Sequence, residues 1–176
     1  MRYQVTPIED PETLHRIFRL RALVWSEVMG IASTHFAGGV WRDAFDDSAL
    51  HWAALRDGAV VGAARLSVHE SIGGSPDAEV FTDSSSLQAP IACLTRLVVH
   101  PSARGAGIAA ALDDARLAEA ERLRCRTVTV FVHHLSGPRR LQALLVRRFQ
   151  CLAPIDSWPD PLWGGFGTPV AKLLNL

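Results

Sequence analysis

Leu97-Val-Val-His-Pro-Ser-Ala-Arg-Gly-Ala-Gly-Ile-Ala-Ala110 is the stretch that decides how the chain is read. Leu97, Val98 and Val99 are apolar on consecutive positions, as expected of a strand covered on both faces. Pro101 ends that strand, and a helix opens near Gly107 after a short glycine turn. Such a turn leaves backbone N–H groups unpaired, and the helix dipole adds partial positive charge at the same end. Small residues at Gly105, Ala106 and Gly107 let a bulky anion approach the main chain, and Arg104 adds a cation. A phosphate or pyrophosphate suits this arrangement. The same glycines would equally serve to tighten a turn with no ligand at all.

Outward from that turn, the pattern predicts alternating elements. The helix runs from Gly107 to Leu123 with Ile108, Ala111, Leu112, Ala115 and Ala118 on one face. Thr127–His133 is the most β-prone segment, and Pro138–Phe149 is an amphipathic helix with Leu141, Leu144, Leu145 and Phe149 inward. Turns around Trp158–Gly167 precede a last strand, Thr168–Leu174. Upstream, Arg2–Pro7 reads as a strand. Asp10-Pro11 then caps a helix carrying Leu14, Ile17, Phe18, Ala22, Trp25 and Met29, closed by Gly30. Ile31–Ser48 is irregular and aromatic, with room for a short helix. His51–Arg56 and Ala59–His69 flank Asp57-Gly58, a hairpin signal because both central positions of the tight turn need positive φ. Ser71–Ala89 is a long polar loop, and Ile91–His100 is the strand that leads into the glycine turn. The order strand, helix, hairpin, strand, helix, strand, helix, strand predicts one α/β domain over residues 1–176, with a mixed sheet and helices on both faces.

Composition sets the outer bounds. Lys plus Arg and Asp plus Glu number 18 each, so no net field recruits nucleic acid or an anionic membrane. Cys93, Cys125 and Cys151 are an odd count without metal-ligand spacing, which argues against a disulfide framework and a zinc site. No signal core or membrane-length apolar run is present, so the expected location is cytoplasmic. Leu117, opposite the expected buried face of its helix, and the apolar tail Val170–Leu176 leave room for a homodimer.

Two ligand classes compete for the turn. Gly105-Ala-Gly107-Ile-Ala-Ala110 satisfies a dinucleotide fingerprint, which requires an acidic residue about 20 positions further on to hold a ribose. The chain has no Asp or Glu between Glu121 and Asp156, and the strand Thr127–His133 ends in histidines, so the nicotinamide reading is poor. Arg104-Gly-Ala-Gly107-Ile-Ala109, entered through Val98-Val99-His100-Pro101, instead resembles the pyrophosphate loop of the GNAT acyltransferases. That resemblance covers most of the chain and implies a GNAT fold with a mixed, mostly antiparallel sheet. It also implies an acyl-CoA co-substrate, acetyl-CoA above all, lying between the fourth and fifth strands. Main-chain groups of Leu97, Val98 and Val99 would hold its pantetheine arm. The turn Arg104, Gly105, Ala106, Gly107, Ile108 and Ala109 would hold its pyrophosphate. The acceptor would be an amine on a small molecule or peptide.

The resemblance breaks down at the catalytic acid. Many family members carry a tyrosine on the last helix; here Leu144 takes its place, and the only tyrosine is Tyr3. Glu70, at the end of the hairpin, and His133 and His134, at the end of the fifth strand, are the candidate proton-transfer groups, together with His69. The missing tyrosine equally suits a domain that binds acyl-CoA without catalysis. A Thr95-Arg96 pair is also found in autoinducer synthases of similar fold, although their acidic residue just upstream is absent here. Arg96 is expected to serve as an internal ion-pair partner, and His100 to be structural.

Overall fold

The computed structural model describes residues 2–81, 85–158 and 165–174. The first strand, β1 (Gln4–Ile8), leads into α1 (Pro11–Met29). Asp10 caps this helix, its carboxylate accepting the Thr13 N–H at 2.8 Å, and Gly30 ends it in the left-handed region at φ 65°. Strands β2 (Leu50–Arg56) and β3 (Ala59–His69) pair antiparallel through Asp57-Gly58, whose φ values are 51° and 77°. The turn chemistry expected of Asp-Gly is therefore the one adopted. The remaining elements are β4 (Ile91–Val99), α2 (Ile108–Arg122), β5 (Thr127–His133), α3 (Pro138–Val146), β6 (Gln150–Cys151), β7 (Ile155–Trp158) and β8 (Gly165–Leu173). Strand order is β1-β2-β3-β4-β5-β8-β6, with β7 also paired to β8. Of the pairs with a defined register, only β4 with β5 is parallel. The fold class is the expected mixed, mostly antiparallel α/β arrangement.

The irregular stretches resolve into short 3-10 turns: Ser33–His35, Ala37–Gly39 and Ala44–Asp47 after α1, then Ile72–Gly74 and Ala78–Val80 before β4. Thr82, Asp83 and Ser84, most of the turn expected around Trp158–Gly167, and Asn175 and Leu176 of the expected apolar tail lie outside the described residues. The last helix stops at Val146, three residues short of expectation, and Arg148 follows at φ 65°. The last strand begins at Gly165 because it continues to pair with β7 at Trp158.

The chain packs as two compact units, Met1–Ser67 with Arg96–Leu117, and Val68–Thr95 with Ala118–Leu176. In the first, Ile8, Ile17, Phe18, Leu20, Val24, Ala53, Ala63 and Val98 form the core. Helix α2 approaches β3 at Gly62, where a Cβ would sit 2.6 Å from Ile108 Cγ2. The buried side of α2 differs from the stripe expected. Ile108, Leu112, Asp113, Arg116 and Leu117 are buried, whereas Ala118 is exposed. The helix turns this way because Arg116 is neutralised in place: its guanidinium donates to Asp113 Oδ1 at 2.6 Å and to the Arg65 carbonyl at 3.0 Å. Leu117, at 8% exposure, therefore gives no support to a dimer face.

In the second unit, β5 and β8 run antiparallel in register from Thr127↔Leu173 to His133↔Gly167. Strand β4 joins β5 over Ile91–Cys93. The Thr127 hydroxyl donates to the Gln88 carbonyl and accepts the Gln88 N–H, both at 2.8 Å, which anchors the loop before β4. Leu144 and Phe149 are buried, as are Cys93 and Cys125, while Cys151 is exposed. Among the described residues no helix is long and apolar enough to cross a membrane, and no cluster of metal-ligating side chains is formed.

Candidate functional site

The glycine turn is built from its two ends. On the strand side, the His100 N–H donates to the Val61 carbonyl at 2.9 Å, and its Nδ1 accepts the Ser102 N–H at 3.3 Å. His100 is thus the structural cap expected of it, closing the 3-10 turn Pro101–Ala103. On the helix side, the first intrahelical bond runs from the Ala111 N–H to the Gly107 carbonyl at 3.1 Å. Between these ends Gly105 and Gly107 hold φ of 78° and 80°, a conformation that side chains with a Cβ rarely adopt. The backbone N–H groups of Ala106, Gly107, Ile108 and Ala109 find no acceptor among the described residues. Arg104 through Gly107 are exposed, and a Cβ on Gly105 would meet nothing within 4 Å. Four donors at a helix start beside an exposed guanidinium form an anion cradle.

Tyr3, from β1's approach, was not singled out by sequence reasoning for this site. A Cβ on Gly107 would lie 3.5 Å from the Tyr3 hydroxyl oxygen, so the phenol sits at the edge of the cradle. Residues this far apart in sequence carry no local signal of their meeting. On β4, the Val98 side chain is buried in the core, which leaves only its main chain for a ligand, while Leu97 and Val99 are half-exposed. Just before them Arg96 sits at φ 54° and interrupts the strand's alternation.

Also in the first unit is a charge cluster that the sequence reading missed except for Arg96. Arg21 Nη1 donates to Asp46 Oδ1 at 2.7 Å, and Arg65 Nη1 donates to Asp43 Oδ1 at 2.6 Å, with Asp46 Oδ1 at 3.0 Å. Arg96 donates from Nε and Nη2 to Asp43 Oδ2, at 3.1 and 2.6 Å, which makes it the ion-pair partner expected. Burial pushes the Asp43 carboxyl up, but the guanidinium groups of Arg96 and Arg65 outweigh it and hold the group at about 2. Burial pulls Arg21 down to about 10 against the opposing pull of Asp46, so the side chain remains charged at neutral pH. His51 is lowered, chiefly by burial. Its Nε2 lies 3.1 Å from the Asp46 carbonyl, which can only accept, and its Nδ1 lies 3.2 Å from Arg21 Nη2, which can only donate. A neutral ring with its proton on Nε2 satisfies both. The signal that would have found this cluster is an arginine on an apolar face: Ile17, Arg21 and Val24 on α1, and Arg65 between Ala64 and Leu66 on β3.

The four proton-transfer candidates, His69, Glu70, His133 and His134, all fall in the second unit. His133 is buried, its Nδ1 accepting the Leu135 N–H at 3.3 Å, with its ring edge-on to Phe131. The His134 ring lies 4.3 Å from that of His133 and is half-buried. Glu70 is exposed, its charge felt by the buried Cys125 thiol, which burial above all pushes up. His133 and His134 are thus brought together. Leu144, in the place of the family's tyrosine, is fully buried.

A mixed sheet with a glycine turn opening a helix beside an exposed row of backbone donors is the arrangement that the GNAT resemblance implied. The chain belongs to the acetyltransferase (GNAT) family, which matches residues 14–139. Solved structures share its fold at low identity. FeeM, an N-acyl amino acid synthase from uncultured soil microbes, aligns with a TM-score of 0.73 and 12% identity, over 98% of this chain and 91% of its own. NAA60 of Arabidopsis thaliana, in complex with acetyl-CoA, aligns with a TM-score of 0.69 and 18% identity, over 99% and 100%. The CoA-dependent acyl-homoserine lactone synthase BjaI, with SAM and isopentyl-CoA, gives 0.69 and 20%, over 96% and 83%. No curated protein matches the chain by sequence.

Proposed function

We propose that this protein is an acyl-CoA-dependent N-acyltransferase, with acetyl-CoA as donor and the amine of a small molecule or peptide as acceptor. We further propose that the whole chain acts as one catalytic domain, in the cytoplasm. The observation that carries the reading is the turn Arg104–Ala109, where two glycines at positive φ and four backbone N–H groups without acceptors open a helix. A diphosphate there meets main-chain donors, the helix dipole and Arg104 at once.

In the reaction the amine nitrogen attacks the thioester carbonyl carbon. A C–N bond forms, the C–S bond breaks, and the thiolate leaves as the amine sheds a proton. The protein must move that proton. The groups proposed for it are Glu70, His133 and His134. His133 Nδ1 accepts the Leu135 N–H, and the half-buried His134 ring lies 4.3 Å from that of His133. A buried leucine at position 144 favours a second reading, a domain that binds acyl-CoA without transferring the acyl group.

The test is calorimetric titration with acetyl-CoA, CoA and NADH, beside an amine panel scored by mass of the acylated product. Selective binding of the CoA species with turnover of one amine supports the enzyme. Binding without turnover of any amine supports the second reading, and binding of NADH alone defeats both.

A further inference from the structure

Helix α1 turns one stripe outward, and that stripe is complementary to its own reverse. Leu23 stands at the middle and is 42% exposed. Arg19 lies four residues before it and Glu27 four residues after it. Arg16 lies seven before, and Gly30, the C-cap, seven after. At 3.6 residues per turn these positions share one face, and all of them are exposed.

The charges of the stripe are not used within the chain. Neither Arg19 nor Glu27 makes a side-chain hydrogen bond or ion pair among the described residues. The two are about 12 Å apart along the axis, too far to pair with each other. Neither has an opposite charge three or four residues away on the helix. Glu27 also stands in the last turn of α1, where the helix dipole is negative, and that turn carries no basic residue. A carboxylate is unfavourable there in the single chain, and a cation brought from outside relieves it. Beside the stripe runs a groove of about 860 Å³ whose apolar lining includes Leu20, Ala22, Phe36 and Val60.

We propose that this stripe is a dimerisation surface whose occupant is α1 of a second copy of this chain, packed antiparallel about a two-fold axis at Leu23. Such an axis sets each position before Leu23 opposite the position equally far after it on the other copy. Arg19 then faces Glu27 of the partner subunit, the reciprocal pair forms at the other end, and the two leucines meet between them. Arg16 is held by the Gly58 carbonyl at 3.2 Å and the Thr13 hydroxyl at 2.8 Å, and its charge comes to the C-terminal turn of the other helix. Exposed ion pairs add little affinity; they fix register and partner, while Leu23 and the apolar lining of the groove supply the burial. A partner must bring an anion, an apolar side chain and a cation at this spacing in reversed order, and a second copy does so by symmetry. The glycine turn Arg104–Ala109 shares no residue with the stripe, so the surface stands independently of the acyl-transfer reading.

The measurement is sedimentation velocity of the full chain over a concentration series from about 1 to 100 μM, with circular dichroism checking that each variant folds. The expected result is a native dimer whose Kd rises at least about tenfold in Arg19→Glu and in Glu27→Arg, because each substitution sets two like-charge pairs across the axis. Mixed one to one, the two variants recover the dimer, since every pair is then opposite in sign. The chain carrying both substitutions recovers it too. No role of either residue within its own chain predicts that recovery. Leu23→Cys in a Cys151→Ser background gives a readout without any change of charge: oxidation joins two chains through position 23, whereas Cys151→Ser alone stays unlinked. A native chain that remains monomeric to the top of the range overturns the proposal and leaves the groove to a partner of other chemistry. A dimer that both reversals leave intact, or a mixture that does not recover, overturns it as well. If a reversal variant fails to fold, the cross-link decides: linkage through position 23 supports the dimer and its absence overturns it.

Discussion

At Gly107 the backbone conformation and the space in front of it make separate demands. With φ at 80°, any side chain strains the turn by about 1–2 kcal/mol, and a branched one also fills the space where a diphosphate would sit. Gly107→Val should therefore raise the Kd for CoA by about tenfold or more in calorimetry, a larger loss than its strain alone predicts. The Tyr3 hydroxyl beside this glycine offers a donor to the same ligand, so Tyr3→Phe should weaken CoA binding about fivefold, the worth of one hydrogen bond. At Asp43 the sign of the pH effect follows from a folded carboxyl at about 2 against an ordinary value of 3.8. The stabilisation from its two arginines is complete above the ordinary value and is lost as pH falls through the folded one. Asp43→Asn should thus cost about 2 kcal/mol at neutral pH, and its deficit against the native chain in urea unfolding should shrink as pH falls from 4 to 2.

Among the elements, α2 depends on what lies beneath its first turn. Ile108 rests against Gly62 of β3, where an added Cβ would meet its Cγ2 at 2.6 Å and Leu112 Cδ1 at 3.3 Å. Gly62→Ala should destabilise the protein by about 1–3 kcal/mol. It should also weaken CoA binding, because pushing Ile108 outward re-aims the amides that precede it. A thermal melt and a CoA titration on one sample check both effects. Elements of this kind were legible where the signal is local. The Asp57-Gly58 hairpin, the Asp10 cap, the Gly30 stop and the whole of Thr127–His133 stand as the residues foretold. The stripe on α2 was misjudged because Arg116 looked like a solvent residue. Asp113 stands at the i,i+3 spacing of a helical ion pair, but the Arg65 carbonyl, 51 positions away, is not readable from sequence, and both are needed to explain the burial of Arg116. For the same reason Arg96 could be recognised as an ion-pair partner while Asp43, 53 positions away, could not be named.

For the molecule as a whole, a ligand that binds only the folded chain stabilises it by mass action. Acetyl-CoA at a hundred times its Kd should add about 2.7 kcal/mol, which at this chain length raises the melting temperature by roughly 5–10 °C, while NADH should leave it unmoved. No shift with any CoA species would remove the donor assignment at one stroke. The distribution of thiols bears on how such experiments are run. Cys93 and Cys125 are buried, the latter with its ionisation suppressed by burial, whereas Cys151 on β6 is exposed. A colorimetric thiol reagent used to follow CoA release will be consumed at once by Cys151, one equivalent per chain, a background to be subtracted or removed by Cys151→Ser. The same asymmetry gives the native chain one attachment point for a fluorophore, and the later, slower modification of its two hidden sulfurs becomes a clock for how often the interior opens.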